Sequence, residues 1–485
     1  MASAIKSYAG VDTPAFFIVE KISFEVLPPS TIKSLDIPRK AGAYFINKNL
    51  GIRTFSVEFS IKADTAGNVM YYADDLAEWL NYDEPQPLIF RDKPDQTYYA
   101  IVSGNSDLTK FSSTGKGKID FVCLDPHAYG IEKEYSFAPQ NTDPIMVTNN
   151  GNTPAYPILQ MQFTKNLPDF SVMTDNDALI FGDFDATTQT ATDLKPLYID
   201  DTGASTSGWT NGVTVDGGVV TGTLTSNGYS FQQGSKDYGT GSNWHGGSLI
   251  KSLGKQVQDF VLGVRVGFQS SNINQLGRVE VYLLDINGNK IGKMAIRDGH
   301  TIGDYPNFEA WAGAVGNGGT QFINTYGDYK GVFKNFEGII RIGRDGLKWY
   351  CYIAKLDKNN KQIPGTIMRK EYWDRSKKYQ DKVAAIQIHI AQNSTYAPVN
   401  VMYVSNVRFS EILSAQTNQV DYVFRTNDIL TIDCNTNEIL KNGEPYYEAL
   451  DPSSSFLKLD KGVNGISVSD PSIKNGTIKF NERWL

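Results

Sequence analysis

Apolar and polar positions alternate with a period of two over much of this chain, and that pattern predicts strands. Between Arg53 and Lys62, Phe55, Val57, Phe59 and Ile61 fall on one side and Ser56, Glu58 and Ser60 on the other, which describes a half-buried strand. The period then changes. Val69, Ala73, Leu76 and Leu80 recur at helical spacing with Asp74, Asp75 and Glu78 outward, so an amphipathic helix is expected, ending before Pro85. Residues 98–102 and 118–123 read as two more strands around a polar loop. One helix against strands makes residues 1–137 an α+β domain. Downstream the chain reads as strand after strand, at 261–268, 279–284, 339–343, 349–353, 386–390 and 401–404. Asp285-Ile-Asn287-Gly-Asn289 and Asp357-Lys-Asn359-Asn360 supply hairpin turns between them. This spacing suits a two-sheet jelly-roll sandwich. A helix is expected there only around 373–383.

Charge divides the chain more sharply than hydropathy does. The formal net charge is −7 over 485 residues. Counted by segment it is −4 for 1–137, −6 for 138–200, +6 for 201–415 and −3 for 416–485. The positive block also holds five tryptophans, at 209, 244, 311, 349 and 373. It is entered through a small-residue stretch, Asp201-Thr-Gly-Ala-Ser-Thr-Ser-Gly208, of linker composition. The expected organisation is an N-terminal domain at 1–137 and a second domain in two parts, 138–202 and 415–485. An inserted domain at 203–414 separates those parts. Three domains in series is the alternative, with short flanking pieces.

Composition removes several function classes. An acidic chain with no strongly basic domain argues against nucleic acid as a main partner. Cys123, Cys351 and Cys434 are too far apart in sequence to suggest a disulfide framework or a cysteine metal site. No apolar run reaches the ~18 residues of a membrane-spanning helix, so no membrane insertion is expected. Lys6, Tyr8, Gly10, Asp12 and Pro14 break up any secretion signal, so synthesis in a cytoplasm is expected.

Catalytic patterns are largely absent. There is no G-x-S-x-G elbow and no H-E-x-x-H helix. Thr114-Gly-Lys-Gly-Lys118 lacks the spacing of a phosphate loop and reads as a hairpin tip. Asp285-x-Asn287-x-Asn289 begins like a calcium loop, but Lys290 stands where that loop needs glycine. Arg278-Val-Glu280-Val and Asn335-Phe-Glu337-Gly offer no ladder of paired carboxylates for glycoside hydrolysis. His389 alternates with Ile388 and Ile390 and reads as a satisfied or solvent-side histidine, and Cys123 as a small buried hydrophobe. No enzyme activity and no cofactor or metal are expected. What remains is a binding signature. Sugars are held by aromatic rings against their C–H faces and by polar side chains at their hydroxyls. Asp304, Tyr305, Asn307, Trp311 and Asn317 supply both kinds in one region, and Trp244 and Tyr326 are further candidates.

The flanking pieces carry a resemblance. The strand Arg53-Thr-Phe-Ser-Val-Glu-Phe-Ser-Ile61 and the helix Ala73-Asp-Asp-Leu-Ala-Glu-Trp-Leu80 come first. Pro87-Leu-Ile-Phe90, Tyr98-Tyr-Ala-Ile-Val102 and the closing Phe121-Val-Cys-Leu-Asp-Pro-His-Ala-Tyr-Gly130 follow. Together with Asn427-Asp-Ile-Leu-Thr-Ile-Asp433, Gly462-Val-Asn-Gly-Ile466 and the final Arg483-Trp-Leu485, this pattern resembles the distal tail protein of long-tailed phages infecting Gram-positive bacteria. The resemblance covers about half the chain. It implies a mainly β protein: a ring-forming N-terminal domain, usually in six copies, and a galectin-like β-sandwich split by an inserted carbohydrate-binding-like jelly roll. It also implies a place in the virion at the tail tip, partners in the tail tube and tip proteins, and contact with host cell-wall polysaccharide. Alternatives for the insert are a wall-degrading enzyme or a docking module for another tip protein.

Overall fold

The computed structural model describes residues 4–38, 41–62, 68–111, 114–183, 189–316 and 318–485, with backbone alone at 104–111, 114 and 236. Strands make up 55% of it, and one α-helix, Asn68–Leu80, is found among the described residues, so the fold is mainly β. The chain forms two compact units, residues 1–182 with 424–485, and residues 183–423.

In the first unit the strand Arg53–Lys62 lies between Phe17–Phe24 and Thr114–Cys123, antiparallel to both. Its alternating face is the core: Phe55, Val57, Phe59 and Ile61 are all buried. The helix covers that core with Val69, Leu76, Trp79 and Leu80. Trp79 meets Tyr8 edge-on at 5.9 Å and lies 5.5 Å from Phe17. Cys123 is a buried hydrophobe, its thiol pushed up to about 12 by burial.

The β-sandwich of this unit is assembled from both ends of the chain. Ala128–Phe137 pairs with Ile473–Trp484, which pairs with Ile158–Phe163, which pairs with Ile429–Asp433. A second sheet runs Ile145–Asn149, Gly462–Val468, Phe170–Met173, Ala178–Phe181. Phe163, Phe170 and Phe181 pack on Phe424 between the sheets, so residues far apart in sequence share one core. One hairpin of the unit is different. Ser30–Asp36 and Ala43–Leu50 form a two-stranded sheet of their own, exposed along almost their whole length.

The second unit is a two-sheet sandwich. Its eight-stranded sheet has Phe260–Gln269 between Val401–Glu411 and Phe336–Asp345, with Lys348–Lys355 and Met368–Trp373 beyond. The nine-stranded sheet runs through Trp244–Val257, Val383–Asn393, Gln275–Leu284, Lys290–Asp298, Asn307–Ala312 and Thr320–Thr325. Between them lies a core that includes Phe260, Phe268, Ile340, Trp349, Val281, Met294 and Ile388. Gly267 is glycine because the Tyr403 ring lies flat on it: a Cβ there would stand 2.1 Å from the ring. Asp285 shapes the hairpin after Gln275–Leu284, its Oδ1 accepting the N–H groups of Asn287 at 2.8 Å and Asn289 at 2.7 Å.

One element departs from expectation. No helix occupies 373–383. Met368–Trp373 is a strand, and the residues after it form a loop around Asp374. That carboxylate accepts from the N–H of Lys378 at 2.9 Å, the N–H of Tyr379 at 2.8 Å and the Gln380 side chain at 2.9 Å. A side chain that captures nearby backbone donors in this way competes with a helix.

Candidate functional site

The nine-stranded sheet of the second unit has two faces of opposite character. Alternation sends Leu249, Val279, Val281, Met294, Ile296, Ile388 and Ile390 into the core. The residues between them are polar and lie side by side across neighbouring strands. Ser248 is paired with His389, and His389 with Glu280. Beyond Ala295, opposite Glu280, stands Glu309. Tyr282 is paired with Lys293, and Lys293 with Trp311. Arg278, Arg297 and Asn307 form the next row.

These side chains form one ion network. Glu280 is contacted by Arg278 Nε at 2.9 Å, Lys293 Nζ at 3.0 Å, His389 Nδ1 at 3.0 Å and the Tyr282 hydroxyl at 2.8 Å. Lys293 Nζ also lies 2.9 Å from Glu309, whose other oxygen accepts from Gln321 at 2.9 Å. Burial alone would raise the Glu280 pKa, but Arg278, Lys293 and the His389 hydrogen bond outweigh it and hold the carboxyl well below its usual range. Burial would lower Lys293, but Glu280 and Glu309 raise it instead, so it stays charged. His389 is 0% exposed, and burial keeps it below its ordinary value, hence neutral near pH 7, although Glu280 pulls the other way. It does face away from Ile388 and Ile390, as alternation requires, and it is buried rather than solvated, with Nδ1 on Glu280 and Nε2 without a hydrogen-bond partner.

At the end of this sheet, the loop between Lys290–Asp298 and Asn307–Ala312 carries several of the sequence candidates. Asp298 accepts the N–H of Tyr305 at 3.0 Å and that of His300 at 3.3 Å. Burial, aided by the nearby Asp304 charge, pushes its pKa up to about 6 against those two hydrogen bonds. Asp304 is ion-paired with Lys334 at 3.3 Å, while its Oδ1 is buried without a hydrogen-bond partner. The Lys330 ammonium lies 5.8 Å from the Tyr305 ring and 5.9 Å from the Tyr326 ring. Asp304 thus holds Lys334, while Tyr305 and Tyr326 both lie beside Lys330. Asn307 is buried beside them and donates to Asn324 at 2.7 Å. Trp244 and Trp311 belong instead to the polar face. Trp244 is partly exposed, with the Arg278 guanidinium 5.0 Å from its ring, and Trp311 is partly exposed with its Nε1 unpartnered. Asn317 lies outside the described residues.

The sequence reading missed Arg278, Tyr282, Lys293, Glu309 and Gln387 as members of one site. A signal was present: Arg-Val-Glu-Val-Tyr282, Asn-Phe-Glu-Ala-Trp311 and Gln-Ile-His389 alternate polar or amphipathic with apolar residues inside strands that read as core, and Lys293 and Arg297 flank Met-Ala-Ile in the same way. Glu280 and Glu337, the two carboxylates considered for hydrolysis, stand on different sheets; Glu337 is bound by Arg265 at 2.6 Å. Among the described residues, no group of three His, Cys, Asp or Glu side chains is placed to hold a metal ion.

Two family models match. Residues 13–123 match the phage tail protein RIFT-related domain, and residues 391–484 match the C-terminal domain of the siphovirus-type tail component. Both matched segments are of phage tail protein type. The resemblance to distal tail proteins stands on these two matches, one within the first unit and one running from the last strands of the second unit to the C-terminal part of the first. A tail component of this type is a structural part of the multi-protein virion tail. No curated protein matches the chain. Among solved structures, the Dit protein of phage SPP1, described as a paradigm of the hub adsorption apparatus in phages infecting Gram-positive bacteria, is similar at 12% identity. That match covers 99% of this chain and 98% of the other, with a TM-score of 0.39. The CBM2 module of the evolved Dit of Lactobacillus casei BL23 phage J-1 is similar at 15% identity over 47% of this chain and 100% of that one, with a TM-score of 0.40. A laminarinase catalytic domain from Thermotoga petrophila is similar at 10% identity over 46% of this chain and 100% of that one, with a TM-score of 0.30.

Proposed function

We propose that this tail component is the hub joining the tail tube to the tail tip, that its N-terminal domain closes into a ring of identical subunits, six by the resemblance, and that its inserted sandwich holds host cell-wall glycans during adsorption. The observation that carries the hub reading is the exposed hairpin Ser30–Asp36 with Ala43–Leu50. Ile32 is 63% exposed, Leu35 55%, Phe45 69% and Ile46 58%, a density of apolar surface that marks an interface. An isolated two-stranded hairpin is barely stable in water, so a neighbouring subunit that covers this one would stabilise it as well as bury it.

The insert's reading rests on two tyrosines beside Lys330, Tyr305 in the loop after Asp298 and Tyr326 after the strand Thr320–Thr325. Rings stack on sugar C–H faces, while Lys330 and Lys334 favour the anionic polymers of a Gram-positive wall. Several copies on one ring would raise modest single-site affinity into stable attachment. A depolymerase is not favoured, because Glu280 and Glu309 are buried and tied to cations. The test is to mix the fluorescently labelled full-length chain with Gram-positive walls, intact and stripped of teichoic acid. Binding lost on stripping supports the reading and names the ligand class. A folded chain that binds neither preparation leaves the insert as a docking module.

A further inference from the structure

The polar face of the nine-stranded sheet is covered by a strap of the chain itself. Thr210–Asn211 pairs with the edge of Trp244–Val257 at Ile250 and Leu249. Gly218–Val220 returns to the same edge at Trp244, His245 and Gly246. Between these pairings, residues 213–217 cross the face, and side chains of the sheet hold them. Gln387 donates to the Thr214 carbonyl at 2.8 Å, Arg278 donates to the Asp216 carbonyl at 2.8 Å, and Tyr282 accepts the Asp216 N–H at 3.0 Å. Val215 is seated on Tyr282 and Leu284. The Asp216 carboxylate is ion-paired with Lys290 and lies 3.8 Å from Lys293, while one of its oxygens is buried without a hydrogen-bond partner.

Without the strap, this face presents Arg278, Lys290, Lys293 and Arg297 against Glu280 and Glu309, an excess of two positive charges, with His389 neutral. Trp244 and Trp311, both partly exposed, also stand on this face. Three cations, Arg278, Lys290 and Lys293, gathered around the buried carboxylates of Glu280 and Asp216 are a costly arrangement as mere packing, because every buried charge must be desolvated and apolar side chains would fill the space more cheaply. It is the arrangement that recognises an anion. The strap is also seated by close approach. A Cβ on Gly212 would meet Ser248 Oγ at 2.1 Å, and one on Gly218 would meet the Trp244 carbonyl at 2.3 Å.

We propose that this face is a binding cleft for an acidic glycan, and that the strap is its built-in occupant, with the Asp216 carboxylate standing where a ligand's carboxylate or phosphate group sits. This goes beyond the loop contact at Tyr305 and Tyr326 to a second face of the insert, and it rests on the glycan-binding reading. Ligand and strap compete, so the cleft opens only to a polymer that can displace the strap, as a wall polymer at high local density can.

The test uses the full-length chain and a strap-released double variant, Gly212→Val with Asp216→Ala. Both are titrated calorimetrically at low ionic strength with an oligogalacturonate, an oligo(glycerol phosphate) and a neutral β-glucan oligomer. The released variant is expected to bind one of the two anions at least about tenfold more tightly than the unaltered chain, with affinity falling as salt rises. Which anion gains separates a uronate site from a phosphate site. Adding Lys290→Ala should remove most of the gain. Asp216→Asn alone, which keeps the strap's shape, should give a smaller gain in the same direction and serves if the double variant does not fold. The proposal is overturned if the folded released form binds neither anion better, if the neutral glycan gains equally, or if the gain survives Lys290→Ala. Wall binding by the unaltered chain alongside such a result would leave the glycan-binding reading standing. Failure on whole walls as well would remove both.

Discussion

Tyr305 donates its backbone N–H to Oδ2 of Asp298 at 3.0 Å, and this bond ties down the loop at the end of the nine-stranded sheet. The accepting carboxyl is itself raised to about 6, by burial first and by the Asp304 charge as well. The loop that presents Tyr305 is therefore built on a group that titrates near physiological pH.

The sign of its pH dependence follows from that shift. A carboxyl whose pKa is higher folded than unfolded favours the folded state when protonated. Its contribution is fully present below about pH 4 and is lost as pH rises through about 6, on the order of 3 kcal/mol in all. Asp304→Asn removes the neighbouring charge and should lower the Asp298 transition. Carboxyl NMR titration of both proteins reads this directly, and an unchanged transition would refute the assignment.

Lys293 bridges Glu280 and Glu309 inside the sheet, so its loss takes the shared cation from two buried carboxylates, leaving Glu280 with Arg278 and Glu309 with Arg297 at 3.7 Å. Lys293→Met should destabilise the second unit by about 3–5 kcal/mol in urea unfolding. Adding Glu280→Gln and Glu309→Gln should recover at least half of that. If the triple variant is no more stable than the single one, charge desolvation is not the source of the cost.

The exposed hairpin predicts a separation of assembly from stability. Phe45→Asp with Ile46→Asp changes solvent-facing residues, so the unfolding free energy should move by no more than about 0.5 kcal/mol. Self-association, followed by sedimentation velocity, should weaken by at least about tenfold. Unchanged sedimentation of an assembling wild type would place the interface elsewhere.

Tyr305 and Tyr326 should separate binding from stability in the same way. Tyr305→Ala with Tyr326→Ala is expected to weaken wall binding about tenfold, since stacked rings contribute on the order of 1 kcal/mol each. Thermal unfolding of the double variant should shift by only a few degrees. Full retention of wall binding would move the glycan contact away from these rings.

Much of the fold was legible because local pattern and tertiary role agreed. Phe55, Val57, Phe59 and Ile61 alternate in sequence and alternate in burial, and the helix beginning at Asn68 follows from the spacing of Val69, Leu76 and Leu80. The charge break was equally local. The loop at 374–382 was not, because whether the Asp374 carboxylate bonds forward to Lys378 and Tyr379 or to solvent depends on the packing around it.

The sequence by itself determined the strand pattern, the amphipathic helix that begins at Asn68, the change of charge at the insert and the family motifs at both ends. All of these are written in residues close together along the chain. Tertiary structure alone decided that Glu280, Lys293, Glu309 and His389 share one network and that Asp216 lies over it. His389 and Glu280 are 109 residues apart, and Lys290 and Asp216 are 74 apart. Their partnership is set by strand register and by where the strap crosses the sheet. Period-two alternation says which face a side chain takes, but not which distant strand becomes its neighbour.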